Sequence, residues 1–182
     1  MSACSAGTEL SEQNINKTVL IVEKALKDFD EEDLKRYVES ETLSKILSVS
    51  GGKKQFKELG EAIFENLSVE ITSIDLAKSS VTVSVLNKDL AQGASDFAED
   101  LKASYSNFQL LGKLQDDDFL NSKVSFLKEE ISKAEMQNSS TTITLSVKKS
   151  KKNLVLVFDE NAENAVSGGA LGAIMKAFSA SL

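Results

Sequence analysis

The chain has 182 residues, 41% hydrophobic and 27% charged, enough apolar content to bury the core of one ordinary domain. With no histidine and one cysteine it has no imidazole base or ligand, no intrachain disulfide and no thiolate metal site, so no metal and no cofactor is expected. A net charge of −7 argues against nucleic acid as a partner. Proline is absent, where average usage would supply about nine, and Arg36 is the single arginine beside twenty lysines. Both read as low-GC coding. They leave the turns to Gly, Asn, Asp, Ser and Lys, and make bidentate arginine clamps nearly unavailable.

From Ser11, an N-cap by residue type, Ile15, Val19, Val22, Leu26 and Phe29 recur at steps of 4, 3, 4 and 3. That is one face of a helix running to about Asp28. Asp30, Glu31, Glu32 and Asp33 suit the first turn of a second helix, where carboxylates meet the N-terminal dipole, with Leu34, Tyr37 and Val38 inward. Ser40 caps a third helix holding Leu43, Ile46 and Leu47, which Gly51-Gly52 stops. Phe56, Leu59, Ile63 and Leu67 mark a fourth, so four short helices precede any strand.

The period then changes to two. Val69, Ile71 and Ser73, with Ile74 and Leu76 out of phase, predict a strand bulged near Ser73. After a polar turn at Ala77–Ser80, Val81, Val83 and Val85 alternate as a half-buried strand. Leu90, Ala94, Phe97, Leu101, Tyr105 and Phe108 return to helical steps, ended by Gly112. Asp116-Asp117-Asp118 opens another helix, inward at Leu120, Val124, Leu127, Ile131 and Ala134. A second hairpin sets Ile143, Leu145 and Val147 against Leu154, Leu156 and Phe158, turning through Lys148–Asn153 with Val147 opposite Leu154. A last helix spans Ala165–Phe178. No linker or composition break divides the chain, so 1–10 reads as a tether and 11–182 as one domain. The fold class is α+β: an antiparallel curved sheet of at least four strands packed on helices.

The only cysteine, Cys4, stands behind Ser2-Ala3 and before Ser5-Ala6-Gly7. This resembles a bacterial lipobox: Ser2 and Ala3 match its two small positions, Cys4 its lipidated residue, and Met1 replaces the usual aliphatic residue. The resemblance implies a diacylglycerol thioether on Cys4 and a place on the extracytoplasmic face of the cell membrane. The charged and apolar parts of a signal peptide do not precede the motif, as in a sequence that begins inside a lipobox; without them the chain is expected to be soluble. The longest apolar run, Leu154–Phe158, is five residues, so the expected membrane partner is reached by the anchor and not by a span. Ser5–Leu10 extends at most roughly 20 Å, which keeps the domain close to the bilayer.

Helices, hairpin, helices and hairpin together resemble the NTF2-like (cystatin-like) fold, a curved sheet wrapped around helices, seen in small lipoproteins of low-GC Gram-positive bacteria. The stretch Asn164–Leu171, with Gly168-Gly169, is similar to the small-residue segment after the last strand in that family. The likeness covers about residues 11–178, with 90–136 as an enlargement. Enzymes of this type hold a carboxylate base in the cone between sheet and helix. No acidic residue here falls on a legible apolar stripe: Asp75, Asp89 and Asp159 lie at strand ends, and Tyr37 and Tyr105 read as packing residues. No catalytic residue is therefore assigned. Asp28–Asp33 and Asp116–Asp118 lack the Gly and the terminal Glu of a calcium loop, and the N-x-S/T triplets at Asn16, Asn66 and Asn138 carry nothing in a bacterial chain.

Lys148, Lys149, Lys151 and Lys152 form the one charge cluster with functional content. Residues 1–138 hold 16 Lys and Arg against 25 Asp and Glu, whereas 139–182 hold 5 against 3, so a basic hairpin tip sits on an acidic body. Edge lysines that block strand pairing explain the cluster structurally; contact with an anionic membrane or wall polymer is the functional reading. The expected function is a non-catalytic extracytoplasmic lipoprotein domain, a binding or interaction module at the cell envelope whose further partner is an envelope protein or a small ligand. The alternatives are a small-molecule enzyme with a buried carboxylate in the cone and a structural envelope protein without a pocket. An open cavity on the concave sheet face favours the enzyme; a filled one favours the other two.

Overall fold

Ser11 accepts a hydrogen bond from the backbone N–H of Asn14 and starts α1 (Glu12–Lys27), whose buried stripe runs from Ile15 through Val19 and Val22 to Leu26. This computed structural model describes residues 8–173 apart from Leu114; Cys4, Ser2 and Ala3, and the 174–178 end of the expected last helix, lie outside them. Phe29 turns the chain at φ 41° and stacks on Phe64, ring centroids 6.4 Å apart. Its ring lies so close to Gly60 that a Cβ there would stand 2.1 Å away. Glycine is what lets α1 and the helix of Gly60 close on each other.

Asp30 caps α2 (Glu31–Tyr37) through the N–H groups of Glu32 and Asp33. The chain then extends for two residues as β1 (Val38–Glu39) before Ser40 caps α3 (Glu41–Ser50) and left-handed Gly51 ends it. β1 corrects the sequence reading, which put Val38 on a helix and no strand before residue 68. Two residues are too short to show alternation, and their partner in β5 lies far along the chain. α4 (Lys54–Phe64) follows.

β2 (Ser68–Asp75), β3 (Ser80–Leu86), β4 (Thr141–Lys149) and β5 (Leu154–Val157) complete a five-stranded sheet of order β1-β5-β4-β3-β2. All neighbours are antiparallel except β1 and β5, which run parallel with Val38 opposite Leu156. The expected bulge is present, between Ile71 and Ser73. The β4–β5 register differs from expectation: Val147 faces Leu156, and Lys149 faces Leu154. Lys148 and Lys149 belong to the strand, and a tight loop closed by Ser150 N–H donating to the Asn153 carbonyl (2.8 Å) makes the turn. Because the slip is two residues, every side chain keeps its face.

Between the hairpins lie α5 (Ala91–Ser104), α6 (Asn107–Lys113) and α7 (Asp117–Lys133). The sequence reading ran α5 and α6 together and ended them at Gly112, which instead lies inside α6. The break comes at extended Tyr105 and at Ser106, which exchanges hydrogen bonds with Gln109: a capping box read over in the sequence. The final helix also starts earlier than expected. Asp159 caps α8 (Glu160–Val166), and Gly168 (φ 59°) and Gly169 (φ 85°) break the path before a further helical turn at Ala170–Ala173.

Val81, Val83, Val85, Leu145, Val147 and Leu156 are buried on one sheet face beneath α1 and α8. A satellite cluster of Phe97, Leu101, Leu110 and Leu127 joins α5, α6 and α7. The opposite sheet face carries hydroxyls, with Thr82 and Thr144 in a 3.0 Å hydrogen bond. No helix among the described residues is long and apolar enough to cross a membrane.

Candidate functional site

The space between α1 and the inner sheet face is where a cone-type chamber would lie, and it holds about 10 Å³. That is at the limit of one water. Val22, Leu26, Val83, Leu145, Leu156 and Phe158 fill it. Glu23 is the one carboxylate at its margin, and it is ion-paired with Lys27 at 3.2 Å. Tyr37 is buried as packing, with the Arg36 guanidinium 5.1 Å from its ring; Tyr105 meets Phe119 edge-on.

Open apolar space lies elsewhere. α4, α5 and α7 enclose a cleft of about 300 Å³, walled by Leu59 and Ile63, by Leu90 and Ala94, and by Leu127 and Ile131. Helical spacing sets each pair on one face of its own segment, and small residues account for the gap: Gly93, Ala94, Ala134 and Ala170 stand where larger side chains would close it. Asp89, Asp96, Glu130 and Lys133 form the mouth. Lys133 is engaged by Glu129 (2.9 Å) and Glu130 (3.0 Å), which hold its ammonium above the ordinary lysine value. Lys88, beside the cleft, donates to the carbonyls of Ile131 and Ser132 at the end of α7. Asp96 accepts from Gln92 at 2.7 Å; neither it nor Asp89 has a cationic partner among the described residues.

The sequence reading missed one buried carboxylate. Glu163 on α8 is 7% exposed, and its Oε1 accepts from Ser40 Oγ (2.5 Å) and from the Thr42 N–H (3.2 Å). Ser40 Oγ in turn accepts from the Leu43 N–H (3.0 Å). Glu163 thus completes the α3 cap and lies outside the α1–sheet space. It also borders a wide, open cleft of about 940 Å³ with Glu41, Asp159 and Glu160; Lys45 pairs with Glu41 and lowers its carboxyl below the ordinary range. Its signal was available: once α8 is started at Asp159, Glu163 falls beside Ala162 and Val166 on the inward stripe. Among the described residues no group of three or more acidic or cysteine side chains is placed to hold a metal.

The four lysines that the sequence reading put in one turn divide between strand and loop. Lys148 and Lys149 end β4, and Lys151 and Lys152 ride the exposed turn. Lys148 pairs with Glu39 of β1 at 2.6 Å, whereas Lys149, Lys151 and Lys152 have no ion pair among the described residues. Asn153, buried beneath the turn, donates to the Arg36 backbone carbonyl at 2.8 Å and ties the turn to the end of α2.

No family model and no curated protein matches the sequence. Among solved structures, a candidate lipoprotein of Bacillus subtilis, ycdA, is similar to this chain at 19% identity and a TM-score of 0.33, over 85% of this chain and 46% of that one. The chain therefore spans about half the length of that protein.

Proposed function

We propose that the chain is a lipid-anchored domain of NTF2-like type on the extracytoplasmic face of the cell membrane, serving as a non-catalytic binding or interaction module. The observation that carries the non-catalytic part is the filled space between α1 and the sheet, because a cone-type active site needs a chamber with a carboxylate in it. The apolar cleft between α4, α5 and α7 supports the binding part. The anchor rests on Cys4 within Ser2-Ala3-Cys4; two or more acyl chains, at about 0.8 kcal/mol per buried CH₂, give stable membrane residence. The Lys148–Lys152 tip then serves as a contact for anionic headgroups.

The test is detergent phase partitioning of the native precursor expressed in a Gram-positive host. The wild type is expected in the detergent phase and Cys4→Ser in the aqueous phase. Equal recovery of both in the detergent phase overturns the anchor.

A further inference from the structure

We propose that the cleft between α4, α5 and α7 binds an aliphatic chain that carries a cationic head, such as an alkyl amine. This deepens the binding-module reading and rests on it. The walls are branched aliphatic and alanine side chains, and no aromatic ring lines the cleft among the described residues. Such a surface suits a flexible hydrocarbon, held by area removed from water, and offers nothing for a planar ring to stack on. Its volume of about 300 Å³ sits at the lower end of the range for small-ligand sites.

The mouth sets the sign of the head. Asp89 and Asp96 present carboxylates with no cationic partner among the described residues, and the lysines nearby are already committed, Lys133 to Glu129 and Glu130 and Lys88 to the α7 carbonyls. A ligand head of positive charge gains two favourable partners there, and an anionic head meets two like charges. The cleft floor is apolar, so an amine seated by its chain leaves the head among these carboxylates at the solvent edge.

Gly93 makes the site separable from the fold. It borders the cleft, and a Cβ added there meets nothing within 4 Å. Gly93→Leu therefore starts from a Cβ in open space at the cleft wall, and its branched end is the bulk added beside the cleft, in a helix that gains from losing a glycine.

The experiment is amide chemical-shift titration of the labelled chain with decylamine, octylamine and decanol, on the wild type, Gly93→Leu and the double variant Asp89→Asn, Asp96→Asn. The account expects saturable decylamine shifts centred on residues 59–63, 90–96 and 127–134, with octylamine binding several-fold more weakly. Gly93→Leu should weaken decylamine at least tenfold with its spectrum otherwise native. The double Asn variant should bring decylamine and decanol to similar affinity. Non-saturating shifts, shifts centred elsewhere, or a folded Gly93→Leu that binds undiminished would overturn the site. Equal wild-type affinity for decylamine and decanol would overturn the cationic head. Each of these outcomes leaves the Cys4 partitioning result untouched, so the two proposals fail separately.

Discussion

Asn87, at the end of β3, donates from its side-chain amide to the Val166 carbonyl at 2.8 Å, across 79 positions of sequence. The same nitrogen donates to the Ile63 carbonyl at 3.0 Å, and its oxygen accepts from the Lys88 N–H at 2.8 Å. One fully buried side chain thus ties the ends of α4 and α8 to the segment that leads into α5. Leu90 N–H then donates to Gly168 O at 2.8 Å, and Gly168 comes so near Lys88 O that a Cβ would stand 1.9 Å from it. These contacts set the wall and mouth of the apolar cleft.

Asn87→Leu should therefore cost about 2 kcal/mol or more, since each buried carbonyl left without a donor costs about 1–3 kcal/mol. Urea unfolding of the variant measures this directly. A loss below about 0.5 kcal/mol would mean that water replaces the amide at no cost.

The inner face makes its own demand. Leu145 and Leu156 are buried in the core, and truncating either to Ala should cost about 2–5 kcal/mol. The observed register adds that Val147 and Leu156 are direct cross-strand neighbours. A double-mutant cycle on Val147 and Leu156 should give a larger coupling energy than one on Val147 and Leu154. The reverse order would restore the register expected from sequence.

Caps and stripes carried most of the fold in the sequence. Ser11 and Ser40 are the side-chain caps their residue types suggest, Asp30 and Asp116, read as helix-opening carboxylates, prove to be the caps of α2 and α7, and the phase change around Ser73 is a true bulge. What escaped was set by distant partners. β1 is a strand only because β5 lies beside it, and the β4–β5 register depends on a loop closed by Asn153. Glu163 reads as a loop residue until Asp159 is recognised as a cap, and its role depends on Ser40, 123 positions away. The cleft was illegible for the same reason: its walls come from three helices, and only their packing shows that the small residues coincide.

The basic tip makes a prediction about surfaces. The unlipidated chain should bind vesicles containing phosphatidylglycerol, more strongly as the anionic fraction rises and less strongly in salt, because exposed charges are screened over about 8 Å at physiological ionic strength. Replacing Lys148, Lys149, Lys151 and Lys152 with Gln should abolish most of the binding. Binding that is absent at low salt, or unchanged by the replacements, would leave the cluster as a solvated turn that protects a sheet edge.

The central claim is that an open apolar cleft lies between α4, α5 and α7 while the space beneath the sheet is filled. Xenon enters dry apolar cavities, so methyl spectra of the chain under xenon pressure test that claim most directly. The account predicts shifts at Leu59, Ile63, Leu127 and Ile131, with Val83, Leu145 and Leu156 unmoved. The largest shifts at Val83, Leu145 and Leu156 would contradict it and restore a chamber of the kind an enzyme needs.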